Sequence, residues 1–475
     1  AVRVVGDWYT PLGGVVLLVC GMFALIGFPL DDVWHRLFGQ DVTLWGPTHL
    51  MLIGGAAMTL VGIAILLVEA GRARPEAAGD QPGWLLLVRR ISLSGGLLIG
   101  LMVFPVEFDF GVPQFRMVFG PILIMLAAGV GLVATRMWLG RGAALGAVAF
   151  FLVIRGIVSL FVGPVMGQTT PHFALFIAEA LVVEAVFALL PRARPLTLGL
   201  ACGIGLGTVG LAAEWAWSHV WMPIPWSAEL FPEGAILGLL AAVAGSLVGA
   251  WMGERLASDE RPRLRSTRQG ALAGALAIFA IVGFALNKPA VEDVSARVEL
   301  APAKPGWATP TVRMDPVDAA DGAEFLSVTS WQGGGFILEE LESTGEPGTY
   351  TTAGPIPVSG TWKSLIRMSN GNTLSAVPIY LPRDEAIPAE EVPARASFER
   401  EFVADHTILQ REQKDAASWL TVLAYLVVAG IALALLAFIA WALHRLAVAA
   451  ERPLGEAAHE GAAPRRAAVG SGVHA

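Results

Sequence analysis

Residues 11–30 read PLGGVVLLVCGMFALIGFPL, and residues 31–49 continue DDVWHRLFGQDVTLWGPTH. The first stretch carries no charge over twenty residues, the length a helix needs to cross a hydrocarbon core of about 30 Å. Runs of the same kind recur at about 48–70, 91–106, 115–137, 143–165, 172–191, 196–217, 233–253, 269–287 and 418–446, which predicts ten transmembrane helices. Bulk composition agrees, since 55% of the 475 residues are hydrophobic and 15% are charged, whereas soluble domains carry about a quarter charged residues. No basic leader with a cleavage site precedes Asp7, so the first run is read as a retained helix and not as a signal peptide. Cys20 and Cys202 lie inside apolar runs and offer no zinc or haem spacing.

Arginines set the direction of the helices. Arg72, Arg74, Arg89 and Arg90 lie between the second and third runs, Arg136 and Arg141 after the fourth, and Arg192 and Arg194 after the sixth. Five more fall between Arg255 and Arg268, and Arg445, Arg452, Arg465 and Arg466 follow the last run. With ten helices all of these loops share one side, which predicts a protein of the bacterial inner (cytoplasmic) membrane with both termini cytoplasmic. The opposite loops hold Asp31, Asp32, His35, Asp41, Glu107, Asp109, His219 and Glu229, and His49 and His172 open the helices that follow.

Residues 289–415 change character, with charges, prolines and glycines around short alternating stretches. That pattern predicts an inserted extracytoplasmic β-sandwich of immunoglobulin or cupredoxin type, followed from Ser397 to Ala417 by a polar helical stem. The segment holds neither His nor Cys before His406, which removes a blue-copper centre; docking to a protein partner or to a second copy is its expected role. The net charge of −8 offers no basic surface to nucleic acid.

Two stretches of the membrane part look alike. Gly46-Pro47-Thr48-His49 and Thr169-Thr170-Pro171-His172 each open a helix, and those helices end near Arg72-Ala73-Arg74-Pro75 and Arg192-Ala193-Arg194-Pro195. The helices after them end in Glu107-Phe108-Asp109-Phe110 and Glu214-Trp215-Ala216-Trp217. Three matches in the same order predict two parallel four-helix repeats plus two further helices. The expected organisation is then a four-helix unit with the acid and histidine motif (1–142), a second unit (143–254), a basic cytoplasmic loop (255–268) and a ninth helix (269–288). The extracytoplasmic domain (289–415), a tenth helix (416–447) and a disordered cytoplasmic tail (448–475) complete the chain.

Asp31 and His35 are four residues apart and share a face if the first helix continues by one turn. His49 begins the second helix, so two imidazoles and a carboxylate on adjacent helix ends form a three-ligand set for copper or zinc. Asp32, Glu107, Asp109, His172 and His219 are further candidates on the same side. The competing reading has these groups capping helix ends at the interface, with Trp34 and Trp45 as belt aromatics. In the second unit His172 and Glu179 are spaced to share a helix face, Glu184 lies deeper and Arg155 sits at a depth comparable with Glu179, either as a polar path or as a locking Arg155–Glu179 or Arg155–Glu184 pair. Arg116 is expected to pair with Glu107 or Asp109 in the same way.

The stretch from Asp31 to His49 resembles the copper-binding part of one membrane-embedded component of the particulate methane and ammonia monooxygenases, the copper membrane monooxygenases. That family carries Asp-x-x-Trp-His, an Arg-Asp pair and Thr-Pro-x-His; here Asp31, Trp34 and His35 match, then Gln40-Asp41, then Gly46-Pro47-Thr48-His49. The resemblance implies copper held by Asp31, His35 and His49. One extra residue separates Asp41 from His49, and Gln40 stands in place of Arg. The family's second copper site, Asn-Glu-Trp-Gly-His with a later Pro-x-His, would fall on Val106-Glu107-Phe108-Asp109-Phe110 and Pro121-Ile122-Leu123, where both histidines are absent. The likeness is confined to the first four helices and implies a distant relative. Three functions follow: a copper-dependent membrane protein related to the monooxygenases, a non-catalytic copper-handling or accessory component of a membrane oxidase or respiratory complex, and a transporter with its path in the fifth and sixth helices.

Overall fold

Apolar runs become helices wherever no water is available to satisfy the backbone. The computed structural model describes residues 2–39, 44–73, 83–257, 291, 293–333, 335–385, 389–409, 414 and 416–449. A short hairpin, β1 (Val2–Val5) and β2 (Trp8–Thr10), precedes α1 (Leu12–Phe38). Then come α2 (Pro47–Arg72), α3 (Gly83–Leu101), the one-turn α4 (Val106–Asp109) and α5 (Phe119–Leu139). The second half begins with α6 (Ala143–Leu160), which runs on into a π-helical turn, Phe161–Val165, and continues with α7 (Ile177–Leu189). After it, α8 (Pro195–Gly205) passes through a π-helical turn, Leu206–Gly210, into α9 (Leu211–Trp221), and α10 (Phe231–Ala257) closes the set.

Among the described residues eight helical spans, counting α8–α9 as one and including the last helix of the chain, are long and apolar enough to cross a membrane. The chain is therefore a membrane protein. Two of the ten expected helices account for the difference. The ninth, 269–287, lies outside the described residues. The sixth, expected over 172–191, is shorter: α7 has 13 residues because the chain stays extended to Phe176, which takes a left-handed conformation (φ 56°) just ahead of the first turn.

Small residues bring the helices together. On α5 and α10, a Cβ at Gly129 would lie 2.6 Å from the Ser246 amide nitrogen, and one at Gly245 would lie 2.6 Å from the Leu126 carbonyl oxygen. On α1 and α2, Gly55 approaches the Ala24 nitrogen to 2.7 Å and Gly62 the Leu17 nitrogen to 2.9 Å in the same sense. Lipid provides no hydrophobic push between helices, so backbone approach of this kind supplies the packing. Gly95, Gly203, Gly205 and Gly207 meet neighbours within 2.5–2.6 Å, while Gly96 has nothing nearer than 3.8 Å.

The inserted segment forms an antiparallel sheet. Its strands are β3 (Ser295–Lys304), β4 (Trp307–Asp315), β5 (Phe325–Gln332), β6 (Gly335–Ser343), β7 (Thr349–Thr352), β8 (Ile356–Pro357), β9 (Lys363–Asn370), β10 (Thr373–Tyr380), β11 (Ser397–Glu401) and β12 (Val403–Ala404). They pair in the order β11-β3-β4-β7-β6-β5-β9-β10-β12, with β8 beside β4. Strand β6 pairs with β5 over Gly335–Glu340 and with β7 over Leu341–Ser343, so the pairing is continuous and the sheet is nearly barrel-shaped. Its two ends approach each other where the Arg400 guanidinium on β11 donates to the Pro378 and Ile379 carbonyls on β10. Val298, Val312, Val328, Ile366 and Val377 fill the interior. The expected helical stem differs as well: residues 397–401 and 403–404 are strands, and α11 (Asp405–Leu409) is a single short helix before α12 (Ser418–Ala449). Phe398 and Phe402, though spaced as on a helix, belong to the apolar interior of the sheet.

The sheet domain sits on one end of the bundle. Phe325 and Leu374 join the membrane core cluster, and Arg367 donates to the Pro113 carbonyl in the loop before α5. At the opposite end Arg72 donates to the Leu446 carbonyl (2.8 Å), so the ends of α2 and α12 meet beside the start of α1.

Candidate metal centre

Local structure brings three predicted ligands together. Helix α1 runs through Asp31 and His35 and stops at Gly39, whose φ of 85° is open to glycine. Helix α2 begins with Gly46 as its cap and Pro47 in its first position, where a missing amide costs nothing. Thr48 and His49 therefore lie in the first turn, facing the last turns of α1.

Asp31 stands at the centre. One carboxylate oxygen lies 3.3 Å from His35 Nε2 and the other 3.3 Å from His49 Nε2. The Thr48 hydroxyl donates to the second of these oxygens at 2.6 Å. All three potential ligand atoms fall within 4.8 Å of one another, and the two imidazole centroids are 6.0 Å apart. The three side chains keep 22–29% of their surface exposed, so the site is open at the protein surface.

The donor set fits a metal ion. Metal–nitrogen and metal–oxygen bonds of about 2.0–2.2 Å set neighbouring ligands of a tetrahedron roughly 3.3 Å apart; here each imidazole lies 3.3 Å from a different Asp31 oxygen, and the three ligand atoms lie within 4.8 Å of one another. His35 Nδ1 lies 3.2 Å from the Gly39 carbonyl, the contact that fixes a ligating imidazole with its lone pair on Nε2. Both ring nitrogens of His35 thus face oxygen acceptors. A metal ion between Nε2 and the Asp31 carboxylate would use the Nε2 lone pair.

The neighbours hold the site from outside. Trp34 packs on Phe38 (centroids 4.3 Å apart) and on Tyr425 of α12 (5.6 Å), a buried role in place of the belt position. Trp45 likewise packs on Phe115 and donates to the Phe104 carbonyl. The Lys414 amide donates to the Phe38 carbonyl (3.0 Å) and its ammonium to the Arg36 carbonyl (3.0 Å), capping the end of α1. Neither Gly39 nor Lys414 stands out as a site residue in the sequence. A glycine just past a long apolar helix is the available signal for the first; nothing near Lys414 marks the second.

The other candidates are engaged elsewhere. Asp32 pairs with Arg36 on the exposed face of α1 (2.8 Å). Glu107 accepts from the Leu44 amide (2.8 Å) and the Gln114 amide (3.1 Å). Asp109 pairs with Arg155 (2.5 Å), which also donates to the His172 carbonyl (2.7 Å). Burial pushes the Asp109 carboxyl up to about 8 against the opposing pull of Arg155. His172 lies in the extended segment ahead of α7 and not on a helix shared with Glu179; its Nδ1 meets the Asp109 carbonyl (3.1 Å), and burial lowers it below the usual imidazole range. His219 Nδ1 bonds the Trp215 carbonyl one turn back (2.9 Å). Asp41 lies outside the described residues.

Ion pairs also fall differently from expectation. Arg155 takes Asp109, Glu184 takes Arg136 (2.7 Å), and Arg116 takes Glu233 (2.6 Å). Each partner is 46 or more residues away in sequence, beyond the reach of spacing arguments.

Comparison with protein-family models, with curated proteins and with solved structures finds no match. The site therefore stands on its own geometry. One parallel inside the chain is visible: Glu107 accepts the Leu44 amide just ahead of α2, and Glu214 accepts those of Leu175 (2.9 Å) and Phe176 (2.6 Å) just ahead of α7. These two glutamates occupy matching places in the two similar stretches of sequence.

Proposed function

We propose that the chain is a copper-binding integral membrane protein, distantly related to the copper-holding membrane component of the copper membrane monooxygenases. Asp31, His35 and His49 form its single metal site. The carrying observation is the convergence of these three side chains from two helices, with ligand atoms inside 4.8 Å. In this reading the sheet domain and the metal site face the periplasm of a bacterial inner membrane, both termini are cytoplasmic, and the domain docks a protein partner or a second copy. Two imidazoles and one carboxylate suit copper, with zinc as the competing ion of the same donor set. Copper at such a site supplies redox chemistry. The chain itself holds the imidazoles, sets the His35 tautomer through Gly39 and orients Asp31 through Thr48.

Non-catalytic copper handling, as an accessory component of a membrane oxidase or respiratory complex, is favoured over oxygenase chemistry by one observation. Where the resemblance would put a second site, the histidines are absent, and Glu107 and Asp109 are bound to backbone amides and to Arg155. Metal analysis of the purified full-length protein tests the proposal. About one copper per chain is expected, falling to background in the His35→Ala/His49→Ala double variant. Equal copper in the two proteins would contradict it.

A further inference from the structure

A second constellation lies in the other half of the bundle and belongs to no part of the metal site. Glu179, in the first turn of α7, is fully buried. Neither of its carboxylate oxygens is hydrogen-bonded by another described residue; only its own backbone amide stands beside the carboxyl. The carboxyl lies against Gly210, the last residue of the π-helical turn between α8 and α9: a Cβ at that position would sit 3.1 Å from Oε1 and 3.0 Å from Cγ of Glu179. Glycine leaves the room the carboxyl occupies. Glu214 is four residues further along the same face, about 6 Å up the axis, and is also buried.

The two carboxyls are not equivalent. Glu214 accepts from the Leu175 and Phe176 amides at 2.9 and 2.6 Å, at the positive end of α7, so its negative charge is compensated. Glu179 has only its own backbone amide beside it, and no donor from another described residue. A dry carboxylate without a partner is among the costliest groups a protein interior holds, and two carboxylates in one site do not both ionise. Nearby charges give no relief. Arg155 on α6 is taken by Asp109 and His172, and Arg136 on α5 by Glu184, which lies further down α7. Cys202 on α8 is a buried thiol, and His219 on α9 is turned to the Trp215 carbonyl.

We propose that Glu179 and Glu214 form a proton-binding site inside the bundle, with one exchangeable proton held on Glu179 beside the anionic Glu214. The proton comes from and returns to water through Glu214, on the side where the chain enters α7 and the sheet domain sits. The ligand is taken as a proton and not a metal cation, since among the described residues Glu179 belongs to no group of three His, Cys, Asp or Glu side chains close enough to hold one. Two structural features accompany it: a helix that starts inside the bundle and a π-helical turn opposite, both common where a membrane protein binds a small charged species.

Infrared difference spectroscopy of the purified full-length protein tests this. A protonated-carboxyl carbonyl band is expected at neutral pH, shifting in heavy water and missing from Glu179→Gln, whose side chain is close in shape to the protonated acid. In Glu214→Gln the band is expected to persist and to vanish at lower pH than in the wild type, because the neighbouring negative charge is gone. A band unchanged in Glu179→Gln, or a midpoint unmoved in Glu214→Gln, would overturn the proposal. Carbodiimide labelling of the unmodified protein gives a readout that needs no variant. Mass spectrometry is expected to find Glu179 modified faster at low pH than at high pH; no modification of Glu179, or protection by sodium ions, would overturn it.

Discussion

At His35 the Gly39 carbonyl fixes one ring nitrogen and the Asp31 carboxylate faces the other. The metal and the proton therefore compete for the same lone pair, so copper affinity is expected to fall as the solution is made acidic. Titration of copper binding against pH checks this; an affinity unchanged on acidification would contradict it. Thr48 touches no metal, yet its hydroxyl orients Asp31 at 2.6 Å. Thr48→Val is expected to weaken copper binding about 10–100-fold, the usual cost of losing an outer partner of a ligand, with the fold retained. At this scale the sequence is informative for Asp31 and His35, because four-residue spacing on a continuing helix has one geometric outcome. The Asp109–Arg155 and Arg116–Glu233 pairs are hidden in it, because a buried guanidinium takes whichever carboxylate the tertiary fold delivers.

Helices are legible as apolar runs, and their interruptions are not. The segment before α7 stays extended because Glu214 binds the Leu175 and Phe176 amides, and Arg155 holds the His172 carbonyl. Hydropathy averages over such local bonds. His172 gives this segment a pH dependence. Its imidazole is held below the usual range, so the unfolded chain takes up the proton first, and stability is full above about pH 6.5 and is lost as pH falls. The melting temperature in detergent is expected to drop on acidification, and to drop less in His172→Gln; equal drops would remove His172 as the cause. Packing between elements is tested by two glycines. Gly129→Leu would drive a side chain into the α10 backbone, 2.6 Å from the Ser246 nitrogen, and is expected to cost at least about 1–3 kcal/mol. Gly54→Ala on α2 meets nothing within 4 Å and is expected to be neutral or stabilising, by up to about 1 kcal/mol of helix propensity. Thermal melts of both variants check the pair, and similar losses would argue against the α5–α10 contact.

Across the whole molecule, the acid and histidine residues gather at the end that carries the sheet domain, as the alternation of charged loops suggests. Strand positions are partly legible from alternation and from the Asn370-Gly371-Asn372 turn, where Gly371 takes φ 59° and its carbonyl receives Arg116 (3.1 Å). Strand order is not, since pairing such as β3 with β11 spans about a hundred residues and no local signal selects it. The domain is fastened through a buried Arg367–Asp405 pair (2.7 Å), with the same arginine reaching the Pro113 carbonyl. Asp405→Asn leaves that guanidinium without its counter-charge and is expected to cost about 3–5 kcal/mol, read as earlier protease cleavage between residues 289 and 415. Unchanged protection would detach this pair from the fastening.

The central claim is that Asp31, His35 and His49 are metal ligands. Electron paramagnetic resonance of the copper(II)-loaded full-length protein reads the ligand atoms directly. Hyperfine coupling to two imidazole nitrogens is expected, reduced to one in His49→Ala; a spectrum without imidazole coupling, or one unaltered by that substitution, would contradict the account.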